Sequence, residues 1–452
     1  MAKRRRIGFV DGGSERLKYH RTLYFPPRFL WGTATSAHQV EGNNRDNDWW
    51  AWEQRSPQRP NSGRACDHYV RYRSDVAQMK KLGYTSYRFS LEWSRIEPQP
   101  GKWNHRAIDH YRDLIRLCNK SGIKPVVTLH HFTNPQWLSA RGGWTRGTTI
   151  AAYLRYVRYV VGELGDVVDL WITVNEPLVY ALQSYLVGIW PPGKTSYLQT
   201  FRVYWHLAVA HRRAFAEIHR IYRERGWHDP RVGFTANTVS LYAYRQHSLA
   251  SWLFIRVADF IWNHSFLVLS GRSRHDFIAL NYYFHYRLKA AHFRTLRFFV
   301  QAREEHREMS EVGWEVYPQG IFDVLLDYRQ YGLPVYIMEN GIATMSESKR
   351  TRYLVSYLKE IYHAIQAGVD VRGYFWWSLM DNFEWHLGFT PRFGLLKVNY
   401  RTQQRTVRPA AKVLSEISLR NCIPHRMLRV LGHSITLPPL VKPSRRTPAR
   451  RP

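Results

Sequence analysis

Leu170-Trp171-Ile172-Thr173-Val174-Asn175-Glu176-Pro177 is a short apolar, β-branched run that ends abruptly in an amide, a carboxyl and a proline. Moving outward in both directions, the same form recurs at 29–35, 85–90, 125–131, 232–237, 277–281, 335–339 and 373–378, which with 170–175 makes eight candidate strands. Longer amphipathic stretches lie between them, at 107–121, 149–164, 200–225, 320–331 and 353–367. Glycine and proline punctuate the junctions, as in Ser121-Gly122-Ile123-Lys124-Pro125 and Tyr331-Gly332-Leu333-Pro334. Strands alternating with helices give a parallel sheet. Eight such units predict an α/β protein built as a closed (β/α)8 TIM barrel.

The polar residues support this. Arg88, His131, Asn175 with Glu176, Asn281, Glu339 with Asn340, and Trp377 with Ser378 all fall at the C-terminal ends of candidate strands. In a (β/α)8 barrel those ends converge on one face, where the chemistry sits. Residues far apart in sequence are therefore expected to meet in one pocket.

Composition narrows the class. The chain has 452 residues, within the range that one barrel with insertions occupies. Cys66, Cys118 and Cys422 are scattered, without metal-ligand spacing or a disulfide framework, which suits a reducing compartment. Ile7 to Val10 is too short for the apolar part of a signal peptide, and no apolar run of about 18 residues occurs. The expectation is a cytoplasmic protein with no membrane span. Formal net charge is +31, of which residues 1–20 carry +4 and residues 423–452 carry +7, leaving +20 between. That excess favours nonspecific contact with polyanions through the basic termini. No zinc-finger spacing, RNP-type motif or P-loop accompanies it. Residues 1–20 read as a basic arm, 21–421 as a single barrel domain, and 422–452 as a mostly flexible, proline-rich basic tail in which Met427–Leu431 could dock locally.

Glycoside hydrolysis needs two carboxyl groups flanking the scissile bond, one protonated and one ionised. Glu176 and Glu339 occupy the same topological position three strand units apart. Here a resemblance becomes specific. The chain is similar to glycoside hydrolase family 1, the β-glucosidase and β-galactosidase family, over roughly residues 22–421. The segment 29–42, from Phe29-Leu30-Trp31-Gly32 to Val40-Glu41-Gly42, matches at the first strand. Tyr87-Arg88-Phe89-Ser90, Trp93-Ser94-Arg95-Ile96, Thr173-Val174-Asn175-Glu176-Pro177 and the run 276–283 come next in the family's order. Glu339-Asn340-Gly341 and the run 373–385 complete it.

The resemblance implies Glu339 as nucleophile and Glu176 as acid/base of a retaining, exo-acting β-glycosidase that needs no metal or cofactor. It further implies that Arg88, Tyr283 and Asn281 support the carboxylates. Gln39, His131, Asn175, Glu384 and Trp385 would bond the sugar, with Trp377 as the aromatic floor. Members acting on 6-phosphorylated sugars carry Ser, Lys and Tyr where this chain has Glu384, Pro391 and Phe393, so an unphosphorylated small oligosaccharide or aryl or alkyl β-glycoside is the implied substrate. The chain departs from the family at Phe132, where Trp is usual, and matches poorly over 240–275 and 284–310, around the leaving-group end. A transglycosidase of the same family, or a non-catalytic carbohydrate-binding barrel, are the alternatives.

Overall fold

A computed structural model of the protein describes residues 22–243, 249–288 and 308–432. All eight candidate strands form, as β1 Leu30–Ala34, β2 Ser86–Ser90, β3 Lys124–Thr128, β4 Leu170–Asn175, β5 Arg231–Ala243, β6 Ile278–Leu288, β7 Val335–Asn340 and β8 Val371–Trp377. They pair in sequence order, all in parallel, and β8 returns to β1 with Ala34 opposite Trp377, closing the barrel. The principal helices are α1 His68–Lys81, α2 His105–Lys120, α3 Thr148–Leu164, α4 Pro177–Tyr185, α5 Tyr197–Arg225, α6 Leu249–Asp259, α7 Ser265–Ser270, α8 Gln319–Tyr328, α9 Glu347–Gln366 and α10 Pro409–Arg420. The barrel reading of the sequence is correct.

Local chemistry explains the helices. In α2, Ala107, Ile108, Tyr111, Leu114, Ile115 and Cys118 are buried, a spacing of three and four that puts them on one face. The Asn104 side chain accepts a bond from the Ala107 amide and so satisfies one of the donors a helix start leaves open. At the far end of α5, Gly226 takes a left-handed turn (φ 65°), which costs glycine little.

Side-chain alternation sorts the strands into an inner and an outer face. Leu170 and Ile172 fill the barrel interior with Val126, Ala279, Met338 and Phe375. Trp171 points outward, and its indole N–H donates to the Tyr222 hydroxyl of α5 at 2.7 Å. Strict alternation would send Asn175 outward too. Pairing between β4 and β5 slips between Ile172 and Asn175, and a one-residue slip reverses the facing of the residues beyond it. A second slip lies between Ile337 and Asn340 where β7 meets β8. Other strand pairs slip as well, but these two slips lie where the strands approach Glu176 and Glu339.

The C-terminal end differs from the sequence reading. Residues 422–432 do not begin a free tail. Cys422–Ile423 pairs antiparallel with Leu23–Tyr24, and Met427 and Leu428 are buried against the barrel. Residues 1–20 and the rest of the expected tail, 433–452, lie outside the described residues. Cutting the chain after Asn421 removes Ile423, Met427 and Leu428, each of which stabilises by about 1.5–3 kcal/mol through burial. That truncation is expected to lower the urea midpoint clearly, whereas a cut after Gly432 should leave both the midpoint and the hydrolysis rate within about twofold. Equal midpoints for the two truncations would show that the 422–432 packing contributes nothing.

One internal stretch stands out in hydropathy, although Arg256 and Asp259 interrupt it. The helical stretch Trp252–Ser270 is long and apolar enough to cross a membrane by length and composition. Its second half is built into the protein, since the Asn263 amide both donates to and accepts from the Val239 backbone of β5.

Candidate active site

A pocket of about 210 Å³ opens at the C-terminal ends of the strands, small beside the roughly 300–1,000 Å³ of typical ligand sites. Gln39, His131, Asn175, Glu176, Tyr283, Glu339, Trp377, Glu384 and Trp385 all line it. Arg88 and Asn281 sit behind the wall and reach the carboxylates by hydrogen bonds. Every residue singled out from the sequence is thus brought to one place.

The two central carboxyls have different surroundings. Glu339 accepts from Arg88 Nη1 at 2.6 Å on one oxygen and from the Tyr283 hydroxyl at 2.6 Å on the other. Burial raises Glu339 overall, while the guanidinium and the phenol favour its charged form and limit the rise. Glu176 meets only neutral donors, the amides of Asn281 at 2.8 Å and Asn237 at 3.0 Å, both on the same oxygen. Burial first, and then the charge of Glu339, push Glu176 up to about 7. The pair therefore divides into a carboxyl that stays protonated near neutrality and one that ionises first.

Arg88 is itself fixed on several sides. It donates to Asn175 Oδ1 at 2.6 Å, to Thr235 Oγ1 at 3.2 Å and to Thr128 Oγ1 at 3.2 Å. The Asn175 amide lies 3.1 Å from His131 Nε2. Burial and the neighbouring Arg88 hold His131 well below the usual histidine range, so it stays neutral. Its ring lies nearly parallel to those of Trp377 and Trp385.

The opposite wall is built around Gln39. Its Nε2 donates to the Phe383 carbonyl at 2.8 Å and to Glu384 Oε2 at 3.2 Å, while Ser36 Oγ donates to its Oε1 at 2.7 Å. Glu384 is pushed up to about 8 by burial and by the charge of Glu339. At neutral pH it is mostly a carboxylic acid, so repulsion by a Glu384 carboxylate is a weak reason to exclude phosphate. The absence of Lys and Arg from the described lining is the stronger reason.

Close packing explains the glycine after Glu339-Asn340. A Cβ on Gly341 would lie 1.9 Å from the Trp377 carbonyl oxygen, so only glycine lets the end of β7 pass β8. The Asn340 amide donates to the Tyr282 carbonyl at 2.6 Å and to the Tyr353 hydroxyl, tying the same turn to its neighbours.

The glycosyl hydrolase family 1 profile matches residues 21–251 and 257–422. The chain belongs to glycosyl hydrolase family 1. It is an O-glycosyl hydrolase. Among family 1 relatives, β-glucosidase A of Acetivibrio thermocellus is 33% identical over 88% of this chain and 99% of its own. The β-galactosidase of Sulfolobus acidocaldarius is 30% identical over 94% of this chain and all of its own. The solved β-glycosidase of Pyrococcus horikoshii superposes with a TM-score of 0.86 at 38% identity, covering 93% of this chain and all of that one. A β-glucosidase from Thermotoga maritima, solved with noeuromycin, gives 0.80 at 30% identity over 88% of this chain and 99% of that one.

Several residues of this family 1 site escaped the sequence reading. Asn237 donates to Glu176 from the last position of the candidate strand 232–237, so the rule that found Asn175 and Asn281 would have found it. Thr235 Oγ1 donates to Asn175 Oδ1 at 2.6 Å, and a lone threonine inside a strand carries no such signal. The outer wall is formed by Val179, Trp190, Trp262, Phe284, Trp314 and Leu387. Of these, Trp262 and Phe284 fall in the stretches that depart from the family pattern. Phe132, in place of the usual tryptophan, packs on Trp190 and Trp385 with ring centroids 4.9 and 5.3 Å away.

Proposed function

We propose that this family 1 hydrolase is a retaining, exo-acting β-glycosidase that removes one unphosphorylated β-linked glucose, galactose or related sugar from a short oligosaccharide or glycoside. The observation that carries the reading is the asymmetry of the carboxyl pair. Glu339, held by Arg88 and Tyr283, is the nucleophile, and Glu176, raised to about 7 among neutral amides, is the acid/base. Glu176 protonates the leaving oxygen as Glu339 attacks the anomeric carbon from the other face. Once Glu339 becomes an ester its charge is gone, Glu176 loses the repulsion that raised it, and it takes a proton from the attacking water.

The remaining pocket groups suit a single pyranose. Gln39, His131, Asn175 and Glu384 offer hydrogen-bonding groups around the ring, and Trp377 and Trp385 offer faces for its C–H surface. The β-glucosidase and β-galactosidase names of the relatives, and the complexes of the Thermotoga maritima enzyme with isofagomine lactam and deoxynojirimycin, support a glycoside of this size. The buried, unpaired thiols of Cys66, Cys118 and Cys422 fit a cytoplasmic setting.

Aryl glycosides differing only in the sugar test the reading. Aryl β-glucoside, β-galactoside or both should turn over with a kcat/KM at least about 100-fold above the α-anomer and the 6-phospho-β-glucoside. Preference for the 6-phosphorylated substrate would overturn the assignment of an unphosphorylated sugar.

A further inference from the structure

The active-site face carries an apolar surface that the hydrolytic chemistry does not use. On α6 and the π-helical turn after it, Trp252, Leu253, Val257, Phe260 and Ile261 are 59, 56, 49, 48 and 52% exposed. On the first turns of α5, Tyr197, Leu198, Phe201 and Trp205 are 60, 66, 62 and 43% exposed. Single exposed apolar side chains are ordinary, but a contiguous group of large ones marks an interaction surface.

Contacts tie α5 to α7, which continues the helical stretch that begins with α6. The Tyr204 hydroxyl of α5 lies 2.7 Å from Ser265 Oγ, and its ring packs on Phe266. Farther along α5, His211 also meets Phe266 and reaches the Arg274 carbonyl. Helices α5 and α7 therefore run side by side in the same direction. Phe201 and Tyr197 on α5, and Ile261 and Val257 on the other helical stretch, all lie on the N-terminal side of the Tyr204–Ser265 contact.

Topology places this surface at the pocket mouth. Both α5 and α6 begin where the chain has left the C-terminal ends of β4 and β5. Trp262, the residue after Ile261, lines the pocket, as does Trp190, next to Ile189, which is 39% exposed.

Charge selects the occupant. No Asp or Glu occurs between Glu176 and Glu217, nor between Asp229 and Asp259. Lys194, Arg202 and Arg256 are exposed within those stretches. A second copy of this chain seated on the surface would bring these cations against themselves, with only Asp259 at the edge to offset them. Anionic lipid headgroups over an acyl layer match both the cations and the apolar side chains. Crossing a bilayer is excluded by the second half of the stretch, where Phe266 and Leu267 are buried and Asn263 is bonded to β5.

We propose that this surface seats the barrel on an anionic lipid layer, with the pocket mouth turned toward the headgroups. The test is independent of the sugar chemistry. The full chain is sedimented with phosphatidylcholine vesicles containing or lacking phosphatidylglycerol, at low salt and at about 0.5 M salt, where exposed charges are screened. Binding should favour phosphatidylglycerol and persist in part at high salt, because apolar contact is not screened. The triple variant Phe201→Glu, Leu253→Glu, Ile261→Glu keeps both basic termini, and its partitioning should fall about tenfold or more. Hydrolysis of a soluble aryl β-glycoside by that variant should stay within about twofold. If the glutamates impair folding, serines at the same three positions serve instead. Equal vesicle binding by wild type and variant, or binding abolished by salt in both, would assign the interaction to the termini and overturn the proposal. So would sedimentation of the lipid-free wild type as a dimer that the variant breaks into monomers, since a second copy would then cover the surface.

Discussion

Glu339→Gly is expected to lower turnover by about 10⁵- to 10⁶-fold while leaving thermal unfolding cooperative, because the covalent step has no other nucleophile. Glu339 accepts from Arg88 and Tyr283 and lies at the end of a strand whose packing does not depend on its carboxyl. Removing the side chain leaves space beneath the anomeric carbon. Azide or formate added to the variant should enter that space and restore part of the rate on an activated aryl glycoside. A single displacement inverts configuration, so the azide product should be the α-glycosyl azide. A β-glycosyl azide as sole product would place the nucleophile elsewhere.

Glu176→Ala should behave differently, with the loss set by the leaving group. Alkyl glycosides need a proton on the departing oxygen, and general acid catalysis contributes about 10²–10⁴-fold. Dinitrophenyl glycosides depart without one, so their glycosylation rate should fall by about tenfold or less. The pH profile carries the same information. Glu176 must be protonated to act as the acid, and burial together with the charge of Glu339 raises it to about 7. The wild-type rate should therefore fall as pH rises through about 7, and the variant should lack that basic limb. A basic limb that survives in the variant would belong to another group.

Much of this was readable from residue pattern. Runs such as 170–175 and 335–339 carry β-branched and apolar residues that suit strands buried on both sides, and the polar residue at each end marks the catalytic face. The parity of those ends was not readable. Asn175 faces the pocket because of a pairing slip after Ile172, and Glu339 lies beyond a second slip after Ile337. Such slips depend on how two strands pack against each other, which neither strand records alone. The elevated state of Glu384 arises from burial and from Glu339, distant in sequence, so its side chain reads from sequence as an ordinary carboxylate. The end of the chain was legible only in part, with local docking of 427–431 foreseeable and the pairing of Cys422–Ile423 with Leu23–Tyr24 not. Its prolines and arginines outweigh Ile423, Met427 and Leu428, yet those three side chains are enough to dock residues 422–432. Helix α6 and the outer pocket wall matched no shared motif, and their arrangement comes from the structure alone.

Catching the covalent intermediate tests the double displacement most directly. A 2-deoxy-2-fluoro-β-glycoside with a good leaving group slows both steps but the second far more, so the glycosyl-enzyme accumulates. Intact mass should rise by one fluoroglycosyl unit, and peptide mapping should place it on the peptide containing Glu339 and on no other. The unlabelled sugar first released from an ordinary substrate should be the β-anomer. An adduct on a different residue, or no adduct together with an α-anomeric first product, would contradict a double displacement through Glu339.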